Sequence, residues 1–287
     1  MIVRLIAALA AAALVVGAFS VAPSVAAGGL LYPQRRELTT PMPPGCSARD
    51  FAGHDVMLRG WHCAAIGKRR GTIVYLHGIA DNRGSSTGVV QRFTPQGFDV
   101  VAYDSRRHGE SGGEVCTYGF LEKRDLRRVV DSLTDGGPVI AIGTSLGAAV
   151  ALQEAAADAR VAAVIAAEPF SDLRTVASER APWFLPSLIV RKAFRVAEQR
   201  GGFLVDAVSP MDAARSIRAP VLLIHGAADV DTPPAHSQRV FAALAGPRRL
   251  LLVPGAGHNQ SLFGPGVWSE IERWIDEALE LRNRRFA

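Results

Sequence analysis

Cysteine is scarce in this 287-residue chain, three in all, and tryptophan, tyrosine and methionine number only four each. So few thiols exclude a disulfide-built miniprotein and a cysteine-rich zinc module. No His-Glu-x-x-His, no Cys-x-x-Cys and no carboxylate cluster occurs, and no Gly-x-Gly-x-x-Gly follows the first apolar core segment. The expectation is therefore no metal and no cofactor. Long runs of one charge are missing too. The net charge is +5, from 32 basic and 27 acidic residues, yet the arginine pairs are interspersed with acids and never reach five like charges in a row. A nucleic-acid face needs clustering, so no nucleic-acid partner is expected. What is present is ordinary: 48% hydrophobic and 21% charged residues, a balance that packs a large core without staples.

The N-terminus is the one long apolar stretch. Arg4 precedes a run from Leu5 to about Phe19, then Pro23 and small residues follow. Ser24-Val25-Ala26 and Val25-Ala26-Ala27 both suit signal-peptidase cleavage. The run is short of the roughly 20 residues a membrane span needs. Residues 1–27 thus read as a signal peptide, with an uncleaved inner-membrane anchor over residues 5–22 as the alternative. No later window reaches a membrane-spanning length, so no stable span is expected after cleavage. The chain reads as exported, periplasmic or secreted, with a leader over 28–45 and one domain over 46–283. Export permits a disulfide. Cys46 and Cys63 flank Phe51–Val56, which reads as a hairpin turn whose midpoint falls between His54 and Asp55. That places the two cysteines opposite each other, so a Cys46–Cys63 bridge is one reading and three free thiols the other. No base–orienter pattern surrounds Cys116.

Beyond residue 70, short apolar runs alternate with helical patterns. The runs are Thr72–Leu76, Phe98–Tyr103, Pro138–Ile142, Val161–Ala166, Pro220–Ile224 and Arg249–Val253. They are continuous rather than alternating, as strands covered on both faces are. Leu126, Val129, Val130 and Leu133 recur at helical spacing, and so do Trp268, Ile271, Ile275 and Leu279. The fold class is α/β: a mostly parallel central sheet with helices on both faces, and an antiparallel N-terminal hairpin at one edge. From about 171 to 215 no strand run appears. So long an insertion reads as a small helical lid, or else as a crossover helix with a long loop.

The chemistry concentrates at Gly143-Thr144-Ser145-Leu146-Gly147. A Gly-x-Ser-x-Gly match is weak alone, but here an apolar strand runs into it and Ala148–Leu152 continues as a helix. Strand, sharp turn and helix are what a nucleophile elbow requires. Gly143 and Gly147 let neighbouring backbone approach, and the Leu146 N–H at the helix start faces the reacting carbon. A serine hydroxyl needs a base and the base an orienter, which follow such an elbow in the order carboxylate, then histidine. Three histidines remain. His225 ends a strand and reads as a turn brace, and His236 as a solvated helix-start residue. His258 lies in a Gly-rich loop just past the last strand and is the base. Asp229 comes first off the preceding strand and is the orienter, with Asp231 as runner-up. The loop at His77-Gly78 offers the Ile79 N–H as a second oxyanion donor.

These segments together resemble the α/β-hydrolase superfamily, and within it the bacterial branch of serine aminopeptidase (S33-type) and BEM46-like hydrolases. The resemblance runs from about Phe51 to Trp274. It rests on His77-Gly78, Tyr103–Ser111, Tyr118–Leu126, the elbow, His225–Asp229 and Pro254–His258. It implies the α/β-hydrolase fold with a lid, and structural roles for Asp104 and His108. Where that family usually reads Asp-x-Arg-Gly-His-Gly-x-Ser, Arg107 stands in place of the first glycine.

The reading is an exported serine hydrolase acting on carboxylic ester or thioester bonds of a small-molecule acyl substrate. Trp183 and Phe184 either line an apolar substrate pocket or pack the lid onto the core. A serine aminopeptidase is the rival, with Glu168 as the acid that would hold a substrate ammonium. A catalytically silent binding module is a third reading, and the sequence does not separate acyl transfer from hydrolysis. It leaves the oligomeric state open.

Overall fold

A computed structural model describes residues 17, 19–133 and 137–286. Eight strands form one sheet in the order β1-β2-β4-β3-β5-β6-β7-β8. The strands are β1 Cys46–Ala52, β2 Met57–Cys63, β3 Gly71–Leu76, β4 Phe98–Tyr103, β5 Val139–Thr144, β6 Val161–Ala167, β7 Val221–Gly226 and β8 Arg248–Val253. From β4 to β8 all neighbours pair in parallel, while β1 and β2 form an antiparallel hairpin whose second strand joins β4. Every residue of β3, β4 and β7 is buried, which is why these strands read as unbroken apolar runs.

Alternate residues of each strand serve opposite cores. Val74, Val101, Ala141, Val164 and Leu223 face one cluster, which α3 (Glu122–Asp131) and α4 (Leu146–Ala155) close. Ile73, Val100, Ile142, Ile165 and Ile224 face the other, closed by α2 (Thr87–Phe93) and α9 (Val267–Phe286). All ten residues of α4 are buried. Small alanines there let the helix lie tightly under the sheet, at no side-chain entropy cost. The hairpin register sets Cys46 opposite Cys63, and the two are joined in a disulfide. Cys116 is buried and unbonded.

The insertion between β6 and β7 is helical: α5 (Leu173–Glu179), α6 (Ser187–Gly201) and α7 (Pro210–Ala214), with α8 (Ala235–Ala243) following β7. At the N-terminus, residues 19–31 form a helix, α1. Residues 1–16 and 18 of the expected signal peptide lie outside the described residues. The helix runs through Pro23, and Ala27 and Leu31, at and beyond the expected cleavage site, are buried in the core. Proline removes one helical hydrogen bond, but packing against the body supplies what local propensity lacks. After α1 the chain is strapped down: the Arg35 guanidinium donates to the carbonyls of Gly109, Ser111 and Gly113 at 3.1, 2.6 and 3.1 Å. Among the described residues no helix is long and apolar enough to cross a membrane.

Candidate active site

The carboxyl ends of β5, β7 and β8 bring three side chains to one rim of the sheet. Ser145 sits between β5 and α4 at φ 47°, ψ −108°. That is a sparsely populated conformation, which tertiary packing must over-determine. The glycines explain how. A Cβ at Gly143 would meet the Gly147 backbone at 2.4 Å, and one at Gly147 would meet the Leu76 carbonyl oxygen at 2.1 Å. Only glycine fits both places.

The Ser145 Oγ lies 3.0 Å from His258 Nε2, and His258 Nδ1 lies 2.7 Å from Asp229 Oδ2. A carboxylate only accepts, so Nδ1 carries the proton and Nε2 presents a lone pair to the serine hydroxyl. The other Asp229 oxygen accepts the N–H groups of Asp231 and Thr232 at 3.0 and 2.9 Å. Burial by itself raises the Asp229 carboxyl. Hydrogen bonds from His225, His258 and Thr232 more than reverse this and hold it well below the usual carboxylate range. Asp231 lends its backbone N–H to that site, while the residue itself is exposed.

His225 does more than brace a turn. Its Nε2–H donates to the Thr232 carbonyl at 2.7 Å and lies 3.2 Å from Asp229 Oδ2, while Nδ1 accepts the Ser237 hydroxyl at 2.6 Å. His236 is not solvated. It is fully buried, with Nδ1 accepting the Ser171 N–H at 3.0 Å and Nε2 2.8 Å from Glu179.

The loop after β3 is aimed by His77. Its Nε2 accepts the Ser105 N–H at 2.9 Å, so Nδ1–H donates to the Gly78 carbonyl at 2.7 Å. In a trans peptide C=O and N–H point opposite ways. Fixing the Gly78 carbonyl on His77 therefore turns the Ile79 N–H to the other side. Neither the Ile79 nor the Leu146 N–H finds an acceptor among the described residues. A Cβ on Gly78 would stand 3.7 Å from the Ser145 Cβ, so this loop lies beside the serine. Burial lowers His77, and burial together with His77 pushes His108 down to about 3. Both rings are thus neutral braces. Asp104 is fully buried, accepting the Arg83 N–H at 2.7 Å and the Glu110 N–H at 2.8 Å. Arg107, which replaces a glycine of the familiar motif, keeps a glycine-like φ of 66° and donates its N–H to Gly112.

Two of the expected pocket residues stand elsewhere. Trp183 and Phe184 are 95% and 67% exposed. The Leu185 N–H bonds back to the Pro182 carbonyl, so both aromatics occupy the centre of a tight turn and project outward. Glu168 does line a cleft of about 900 Å³ beside the serine. Its two carboxylate oxygens, however, are taken by the N–H groups of Asn259 and, at 3.0 Å, Ser261. It grips the loop that carries His258, with each oxygen already accepting one backbone N–H there. A signal for this role exists in the sequence: Glu168 directly follows a core strand at the active rim, where a buried acid needs donors. Glu168→Ala leaves the N–H groups of Asn259 and Ser261 without their acceptor; for the buried Ser261 this costs about 1–3 kcal/mol. It should lower ester kcat/KM about ten- to a hundredfold by loosening the imidazole. Steady-state kinetics on the folded variant checks this, and activity within threefold of wild type would sink it.

Residues 73–265 match the model of the alpha/beta hydrolase family. The chain belongs to that family. The protein YqkD of Bacillus subtilis, itself uncharacterized, is 35% identical over 218 residues, covering 73% of this chain and 70% of its own. Two solved structures share the fold at lower identity. An esterase from Pyrococcus furiosus superposes with a TM-score of 0.70 at 22% identity, covering 86% of this chain and 99% of its own. An acetyl xylan esterase from Paenibacillus gives 0.65 at 21% identity, with coverage of 90% and 92%.

Proposed function

We propose that this alpha/beta hydrolase is a serine hydrolase of carboxylic or thioesters. The observation that carries the reading is the unbroken relay from Ser145 Oγ through His258 to Asp229, beside two unpartnered N–H groups. Ser145 Oγ bonds to the acyl carbon as its proton passes to His258 Nε2. The carbonyl electron pair moves onto oxygen, where the Ile79 and Leu146 N–H groups hold it. Asp229 stabilises the imidazolium. As the carbonyl re-forms, the alcohol or thiol leaves with the His258 proton. Water, deprotonated by the same imidazole, then releases the acid by the reverse route. The engagement of Glu168 by the His258 loop weighs against its serving as an aminopeptidase's ammonium site. The intact relay weighs against a silent binding module. The Cys46–Cys63 disulfide supports an oxidising compartment outside the cytoplasm.

The test is turnover of p-nitrophenyl acetate against aminoacyl p-nitroanilides, with fluorophosphonate labelling in parallel. Ester hydrolysis and labelling without anilide cleavage are expected. Anilide turnover exceeding ester turnover would refute the esterase, and absence of both turnover and labelling would refute the hydrolase.

A further inference from the structure

Two cavities meet at Ile79. One is the cleft beside Ser145, with Arg36, Asp81 and Gln91 on its far walls. The other, of about 430 Å³, runs beneath the lid between Ala26 and Leu30 of α1, Val176 and Ala177 of α5, and Phe194 of α6. Its two polar side chains are already committed. The Tyr118 hydroxyl donates to the Leu30 carbonyl at 3.1 Å, and Arg180 donates to the Asp231 carbonyl at 2.9 Å and to the Thr232 hydroxyl. A guest there finds apolar walls, and its route out passes the residue whose N–H flanks Ser145.

The helix that makes one wall is firmly held. Ala27 and Leu31 are buried in the core, and the Leu31 carbonyl accepts the Cys116 N–H at 2.9 Å. Arg200 reaches from the end of α6 to the Ser24 carbonyl at 3.3 Å. A Cβ on Gly201 would stand 3.0 Å from the Leu31 side chain, so α6 and α1 lie close together here. Cleavage after Ala26 or Ala27 would remove Ala26 and half of this helix, and would open the cavity to water.

We propose that helix 19–31 stays on the working enzyme as a wall of an acyl-chain pocket, making the substrate an ester of a longer apolar acid rather than of acetate. The inference rests on the hydrolase reading and takes the retained-segment alternative over cleavage. With the carbonyl oxygen between Ile79 and Leu146, the chain enters the lid cavity. The alcohol part then lies in the larger, more polar cleft.

The experiment compares p-nitrophenyl esters from acetate to decanoate on the full chain. Wild-type kcat/KM should rise about fourfold per added methylene until the cavity fills. Ala26→Trp and Ala177→Trp insert an indole from opposite walls, and each should lower the decanoate-to-acetate ratio of kcat/KM at least tenfold. Calorimetry on Ser145→Ala protein should show decanoate binding, lost on adding Ala26→Trp. A ratio that rises with neither chain length nor wall, or an active mature enzyme beginning at residue 27 or 28, would overturn the pocket. Decanoate binding without fluorophosphonate labelling of wild type would instead overturn only the hydrolase.

Discussion

Ser145→Ala should lower ester kcat by about 10⁴- to 10⁶-fold while leaving the protein folded and KM nearly unchanged. The size follows from what is removed. The hydroxyl is the atom that bonds to the acyl carbon, and no second hydroxyl stands at its place. Among the described residues, two other serine hydroxyls bond to a histidine ring, Ser171 to His236 and Ser237 to His225, and both serines are fully buried. What persists is water attack assisted by the Ile79 and Leu146 N–H groups, the modest residue of catalysis seen when a triad is broken. Stability should change little. Alanine and serine face the same backbone strain at φ 47°, and the lost hydrogen bond sits at a partly open rim. Steady-state kinetics, fluorophosphonate labelling and thermal melting together check this. A loss below tenfold, or labelling that survives, would move the nucleophile elsewhere.

How much of this was readable in the residues depends on how local the governing physics is. β4 occupies Phe98–Tyr103, the span read from the sequence, because a strand buried on both faces is mostly apolar; Asp99 is the exception, bonded by Arg69 and the Ala65 N–H. The elbow is readable because its pattern is local, a strand, a sharp turn and a helix within a dozen residues, although Gly147 is required by Leu76 of a neighbouring strand. Ser145, Asp229 and His258 followed from their positions at strand ends, where a parallel sheet presents its loops to one rim. The failures are tertiary. An alanine-rich apolar segment suits a secretion signal and a packed helix equally well, so composition does not separate the two over residues 19–31. Hydrophobicity alone offers Trp183 and Phe184 either a pocket or a place against the core, and the Pro182–Leu185 turn instead leaves both largely exposed. Glu168 looked like a free acid because its donors, Asn259 and Ser261, lie some ninety residues away. His236 looked solvated for the same reason, its partner Ser171 being 65 residues distant.

The sharpest separation is between Asp229 and Asp231. One Asp229 oxygen accepts two backbone N–H groups, so in Asp229→Asn the amide oxygen must take that place. The amide NH₂ then faces His258 Nδ1. A donor there forces the imidazole to carry its proton on Nε2, where it can no longer accept the serine proton. About 10⁴-fold should be lost from kcat. Asp231→Asn keeps the backbone N–H that Asp229 uses and alters only an exposed carboxylate, so kcat should stay within threefold. Stability gives a second readout. The Asp229 carboxyl is held below its ordinary range in the folded state. Its ionised form therefore contributes stability above the unfolded value of about 3.9, and that contribution fades as pH falls toward the lower folded value. Asp229→Asn should accordingly melt below wild type at neutral pH, and the gap should narrow once pH drops under about 4. Kinetics that penalised Asp231→Asn and spared Asp229→Asn would exchange the two roles. A melting gap that widened on acidification would show that the carboxylate is not the stabilised form.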